Sequence, residues 1–112
     1  MKEIFKDIKG YEGMYQVSNL GNVRGLDRID SGGRLRKERI LRAAVNSTGY
    51  YLVSFSKNSV MKSFPVHKIV AIAFLNHVPN GYNVVVDHID ENPLNNRLDN
   101  LQLITHRENR VR

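Results

Sequence analysis

The chain has 112 residues, enough for one domain or for two small modules that share a core. Apolar residues make up 41% and their longest unbroken run is residues 69–75, so a membrane span of about 20 apolar residues is excluded. The 17 Lys and Arg outnumber the 11 Asp and Glu, for a charge of +6, and the lack of cysteine rules out disulfides, zinc ribbons and thiol nucleophiles.

The N-terminal stretch Met1-Lys2-Glu3-Ile4-Phe5-Lys6-Asp7 has no apolar signal core, so no secretion signal is expected. Residues 11–26 predict a hairpin. Tyr15 and Val17 share one face, Asn19-Leu20-Gly21-Asn22 is turn chemistry, and Val23-Arg24-Gly25-Leu26 returns. Ser31-Gly32-Gly33 predicts a loop, Arg39-Ile40-Leu41-Arg42 a short strand, and residues 46–49 a turn. A second hairpin follows. Tyr51, Val53 and Phe55 alternate with Tyr50, Leu52 and Ser54, and Ser56-Lys57-Asn58-Ser59 supplies the loop. The partner strand starts at Val60 and stops at Pro65, which cannot donate to a ladder.

The period then changes from two to that of a helix. Val66, Ile69, Val70, Ala73 and Phe74 make one apolar face of a helix over 66–75. Residues 76–83 read as a loop and 84–87 as a short buried strand. Residues 90–100 are polar and turn-rich, with Asn92, Asn95, Asn96 and Asn100, and 101–104 is a further strand. Thr105-His106-Arg107-Glu108 is a capping box, so a helix is expected to begin at 106 and to reach Arg112 after about two turns. The elements predict an α+β fold with a mainly β front half.

Charge is unevenly spread. Residues 1–75 hold 13 basic and 6 acidic side chains, whereas residues 76–112 hold 4 and 5. The densest stretch carries Arg24, Arg28, Arg34, Arg36, Lys37, Arg39 and Arg42. Such a front half suits a polyanion, though a solvated basic loop gives the same composition. In the back third, Asp87-His88, Asn100 and Asn109 stand on a strand, a loop end and a helix start. If the two strands pair, the helix can pack across them and bring Asn109 beside Asp87. A carboxylate and an amide oxygen are hard ligands suited to Mg²⁺ or Mn²⁺, and a neutral His beside them can act as a base.

Asp87-His88-Ile89-Asp90, then Asn95-Asn96-Arg97-Leu98-Asp99-Asn100-Leu101, then Ile104-Thr105 and Glu108-Asn109, resembles the ββα-metal core of HNH endonucleases. The subgroup it is most similar to is the homing and phage type, where the last letter is Asn. Val66-His67-Lys68-Ile69-Val70-Ala71 with Phe74 is similar to the helix before that core. Lys9-Gly10-Tyr11-Glu12-Gly13-Met14-Tyr15-Gln16-Val17-Ser18-Asn19-Leu20-Gly21-Asn22-Val23-Arg24 resembles a front module thought to bind DNA, with Phe5 where that module usually has Trp.

The resemblance implies two parts: residues 1–62 as a DNA-binding module and 63–112 as the nuclease core. It implies a metal-dependent endonuclease on double-stranded DNA, with His88 as general base, Asp87 and Asn109 as ligands of Mg²⁺ (or Mn²⁺), and Asn100 holding the loop behind His88. The seven basic residues of the 24–42 stretch become DNA contacts. His67 is either a hydrogen-bonded structural residue or a contact at the active centre. One site per chain implies that a monomer nicks one strand, while cutting both needs a homodimer or two encounters. A bacterial or phage-encoded protein working in the host cytoplasm is expected, without a membrane. Homing relatives usually continue into a longer helix and a further DNA-binding module. The main rival reading is a DNA-binding module or fragment with weak or no turnover, and a third is a basic protein that binds RNA.

Overall fold

The computed structural model describes residues 2–30, 32–78 and 84–105. Its first strands are β1 (Phe5–Asp7), β2 (Tyr15–Ser18) and β3 (Val23–Gly25). The β2–β3 hairpin is the predicted one, and its inward face is Tyr15, Val17 and Val23, all buried. The turn between them is built by Ser18, whose Oγ accepts from the N–H groups of Leu20 and Asn22, both at 3.1 Å. β1 was not legible in the sequence. It pairs along β2, and Asn19 secures it by accepting from Ile4 N–H at 2.9 Å and donating to the Lys2 carbonyl at 2.9 Å.

A small arm leaves this sheet. β4 (Arg28–Ile29) and β5 (Leu35–Arg36) pair on either side of the glycine loop, and β6 (Arg39–Ile40) returns to lie beside β3. A second sheet has β7 (Ala44–Val45), β8 (Tyr51–Lys57) and β9 (Val60–Pro65) in that order. The expected loop over 56–59 is shorter than the sequence suggested. β8 runs on to Lys57, which pairs with Val60, and only Asn58 and Ser59 turn, at φ +53° and +65°. Two consecutive positive φ values fit a tight hairpin turn whose twist matches the strands, and asparagine tolerates that conformation.

α1 (Val66–Phe74) follows at once, with Pro65 as the residue before its first turn. Val66, Ile69 and Val70 turn inward as the spacing predicted. The last described pair is β10 (Val84–His88) and β11 (Leu101–Thr105), antiparallel, preceded on the β11 side by one 3₁₀ turn, Leu98–Asn100. His88 lies within β10 rather than just past it, opposite Leu101. The helix expected from residue 106, with its capping box, and the loop residues 79–83 lie outside the described residues.

The fold is α+β. One apolar cluster joins its parts: Tyr15, Val17 and Val23 from the first sheet, Val53 and Phe55 from β8, Val66, Ile69 and Val70 from α1, and Leu101 from β11. Its densest point is aromatic, with the Tyr15 and Phe55 rings 4.5 Å apart and Tyr11 and Phe64 packed on Phe55 at 5.0 and 5.6 Å. Among the described residues no helix is long and apolar enough to cross a membrane.

Candidate active site

Asp87 and His88 are the last two residues of β10, and the ladder sets them opposite Gln102 and Leu101 of β11. Asp87 is half-buried, and its Oδ2 accepts from Nε2 of Gln102, its partner across the ladder, at 2.8 Å. His88 is buried, 7% exposed. Adjacent strand residues point to opposite faces, so the carboxylate and the imidazole leave the backbone on opposite sides.

Behind them, residues 89–100 form a loop held by amides. Asn100 is its main clamp. The Asn100 Oδ1 accepts from Asp90 N–H at 3.0 Å, and its Nδ2 donates to Asp90 Oδ1 and to the Asn95 carbonyl, both at 2.9 Å. Asp90 also accepts from Asn92 N–H at 2.8 Å and from Asn95 Nδ2 at 2.9 Å. Asn95, the Asn92 N–H and Asn100, in that order, hold the Asp90 carboxyl below its ordinary value. An ionised Asp90 is thus the hub of the loop.

The sequence did not single out Asn96. It is buried, and its Oδ1 lies 2.8 Å from His88 Nε2. Its signal was hidden in an asparagine-rich stretch, where residue type alone does not show which amide turns inward.

His67 comes to the same place from α1. Its ring centroid is 5.0 Å from that of His88 and 4.9 Å from that of Tyr50, which is 6.0 Å from His88. Three rings from three parts of the chain thus pack together. Burial pushes His67 down to about 4, and the neighbouring His88 and Lys68 add to the shift. Its Nδ1 is buried with no hydrogen-bond partner among the described residues. His77 is also lowered, again mainly by burial.

Among the described residues, Asp87 is the carboxylate that a divalent cation would meet beside His88. Among the described residues no three His, Cys, Asp or Glu side chains cluster to hold a metal. The second expected ligand, Asn109, lies outside the described residues. The donor chemistry still fits a hard cation that keeps water or phosphate ligands, because such ions need only one or two protein oxygens.

The basic residues separate into two kinds. Arg24 is committed to its own sheet, donating to Gln16 Oε1 at 3.0 and 2.7 Å with its guanidinium 3.8 Å over the Phe5 ring. Arg28 folds onto Tyr15, donating to its hydroxyl at 2.8 Å. Arg34, Arg36, Lys37 and Arg39 are exposed, and Arg42 is exposed too. Arg36 carries an ion pair to Asp30 at 2.9 Å. The arm and the β8–β9 turn enclose an open groove of about 1080 Å³, lined by Arg28, Arg34, Arg36, Lys37, Arg39 and Lys57 among others.

The HNH endonuclease family pattern matches residues 64–111, and the NUMOD4 motif matches residues 3–56. DNA endonuclease I-HmuI of Bacillus phage SP01 is 41% identical over 105 residues, covering 94% of this chain and 54% of that protein. H-N-H endonuclease F-TflII of Escherichia phage T5 is 30% identical over 110 residues, covering 98% of this chain and 52% of that protein. A solved structure described as DNA binding and cleavage by the HNH homing endonuclease I-HmuI matches with a TM-score of 0.78 at 38% identity, over 96% of this chain and 56% of that one. The chain spans about half the length of these relatives.

Proposed function

The chain belongs to the HNH endonuclease family, and from that premise we propose that it hydrolyses phosphodiester bonds in double-stranded DNA with His88 as general base. The observation that carries this reading is a buried His88 next to Asp87 in the chain at the end of β10, backed by a loop that Asn100 clamps with three hydrogen bonds. A base must be rigidly aimed to accept a proton from attacking water, and a positioned base contributes typically about 10²–10⁴ in rate. His88 takes that proton, while the Asn100 clamp keeps the loop behind it from moving.

Endonucleases of this family generally use a divalent metal. Asp87, with Asn109, would hold it, and Mg²⁺ or Mn²⁺ suits those oxygen donors. When bound, such an ion supplies charge stabilisation at the scissile phosphate and the leaving 3′ oxygen. Asp87 would set the place of that charge, and Gln102 Nε2, donating to Asp87 Oδ2 at 2.8 Å, orients the carboxylate.

The exposed side chains Arg34, Arg36, Lys37, Arg39 and Arg42 grip the DNA backbone. Arg24 and Arg28 contribute mainly to the fold, since their guanidiniums lie over the Phe5 and Tyr15 rings in part-buried hydrogen bonds, whereas the ion pair of Arg36 to Asp30 is on the exposed surface. The N-terminal sheets and arm thus hold DNA, and residues from α1 onward cut it. A monomer nicks one strand.

A plasmid-nicking assay with Mg²⁺, Mn²⁺ or chelator tests this. Metal-dependent conversion of supercoiled to nicked circles by the parent, lost in His88→Ala with DNA affinity kept, is the expected outcome. DNA binding without any nicking in the parent would favour a binding module without turnover. Nicking by His88→Ala within a few-fold of the parent would place the base elsewhere.

A further inference from the structure

The turn of the first sheet touches the loop behind His88. Gly21, at φ +87°, lies against Asn96 so closely that a Cβ there would stand 3.0 Å from the Asn96 carbonyl oxygen and 3.2 Å from its Cβ. Two residues on, the Leu98 N–H donates to the Asn19 carbonyl at 2.8 Å. Asn19 is itself buried and tied to Ile4 and Lys2, so the turn is a firm abutment. Asn96, pinned by this contact, points its Oδ1 at His88 Nε2, 2.8 Å away.

An amide oxygen can only accept. A neutral imidazole facing it must therefore carry its proton on Nε2, which leaves the lone pair on Nδ1. The bond is buried, so breaking it leaves a desolvated group unpaired and the tautomer preference is strong.

We propose that the turn at residues 18–22 is a positioning part of the catalytic site: it seats Asn96, and Asn96 holds His88 in the Nε2–H form with Nδ1 as the basic nitrogen. This rests on the reading of His88 as the base. It gives the N-terminal sheet a second task besides holding DNA. Asn96 and Gly21 act through His88, so both are positioning residues.

The direct test needs no turnover. Long-range ¹⁵N–¹H correlation spectra of the 112-residue chain at high pH report each imidazole tautomer. His88 in the parent is expected wholly as Nε2–H, and as a mixture in Asn96→Leu. In nicking assays Asn96→Leu is expected to lower kcat about 10–100-fold with KM kept. Asn96→Asp keeps an accepting oxygen and should restore the Nε2–H form and most of kcat.

Gly21→Ala should lower kcat in the same way. Gly13→Ala is its control, because Gly13 has a similar φ, +77°, with nothing within 4 Å of an added Cβ. A parent His88 protonated on Nδ1 would overturn the proposal. So would an Asn96→Leu variant with parental tautomer and kcat, or a loss of activity equal in the Gly13 and Gly21 variants. Parental nicking by His88→Ala would instead remove the base assignment, and the spectra would still judge the positioning by themselves.

Discussion

The Tyr15 phenol joins the first sheet to the second by exchanging two hydrogen bonds with the Ser56 main chain, accepting from its N–H at 3.0 Å and donating to its carbonyl at 3.2 Å. The same oxygen accepts from Arg28 Nη2 at 2.8 Å. One hydroxyl therefore serves three partners at the edge of the aromatic cluster. Tyr15→Phe keeps the ring packing and removes all three bonds. Loss of stability by about 1–3 kcal/mol is expected, since partly buried groups are left unpaired. Urea denaturation measures it, and an unchanged midpoint would show that water replaces the hydroxyl at no cost.

His67 makes stability depend on pH. Its folded value is lowered from 6.5 to about 4, so the folded state resists a proton that the unfolded chain accepts. For a lowered group the stability is fully present above the unfolded value of 6.5 and is lost as pH falls toward about 4. The full shift corresponds to about 3 kcal/mol. His77, also lowered, adds in the same direction. Thermal melts between these limits should fall with pH in the parent and more gently in His67→Leu. Equal slopes in both would mean that another group carries the effect.

Much of the fold was legible because it is periodic. The alternation in β8 and the helical spacing from Val66 to Phe74 are one-dimensional patterns, and the structure places both where they were read. β1 was missed because two of its three residues, Lys6 and Asp7, are exposed and charged, and its place is set by Asn19 from another turn. β4, β5 and β7 have two residues each, too short for any period. In the site, Asp87 and His88 stood out by type and by resemblance to the family. The partner of His88 did not, because four asparagines share one loop and only its path selects Asn96. Arg28 is indistinguishable in sequence from its basic neighbours, and only the fold puts Tyr15 beneath it.

The exposed arm residues should dominate DNA affinity. Replacing Arg36, Lys37 and Arg39 together by Gln is expected to weaken binding to any sequence and to flatten its salt dependence. Every DNA phosphate that is no longer neutralised takes about one unit from the slope of log K against log salt. Arg24→Gln should change the slope little, because its guanidinium is engaged by Gln16 and Phe5. Fluorescence anisotropy over a salt series measures both. An unchanged slope in the triple variant would put the DNA on a different face.

Charge also predicts an asymmetry between the two proposed metal ligands. Asp87 brings a full negative charge to a hard cation, and Gln102 already holds it in place. Asn109 would bring only an amide dipole. DNA phosphates can take over from a missing neutral ligand more easily than from a missing charge. Asp87→Ala is therefore expected to abolish nicking at every metal concentration. Asn109→Ala should shift the metal titration to higher Mg²⁺ or Mn²⁺ and recover part of the activity there. The check is a metal titration of nicking by both variants beside the parent. If Asn109→Ala titrates like the parent, that residue is not a ligand. If Asp87→Ala cleaves normally, the nuclease reading of this chain fails, because Asp87 is the one carboxylate that β10 carries beside His88.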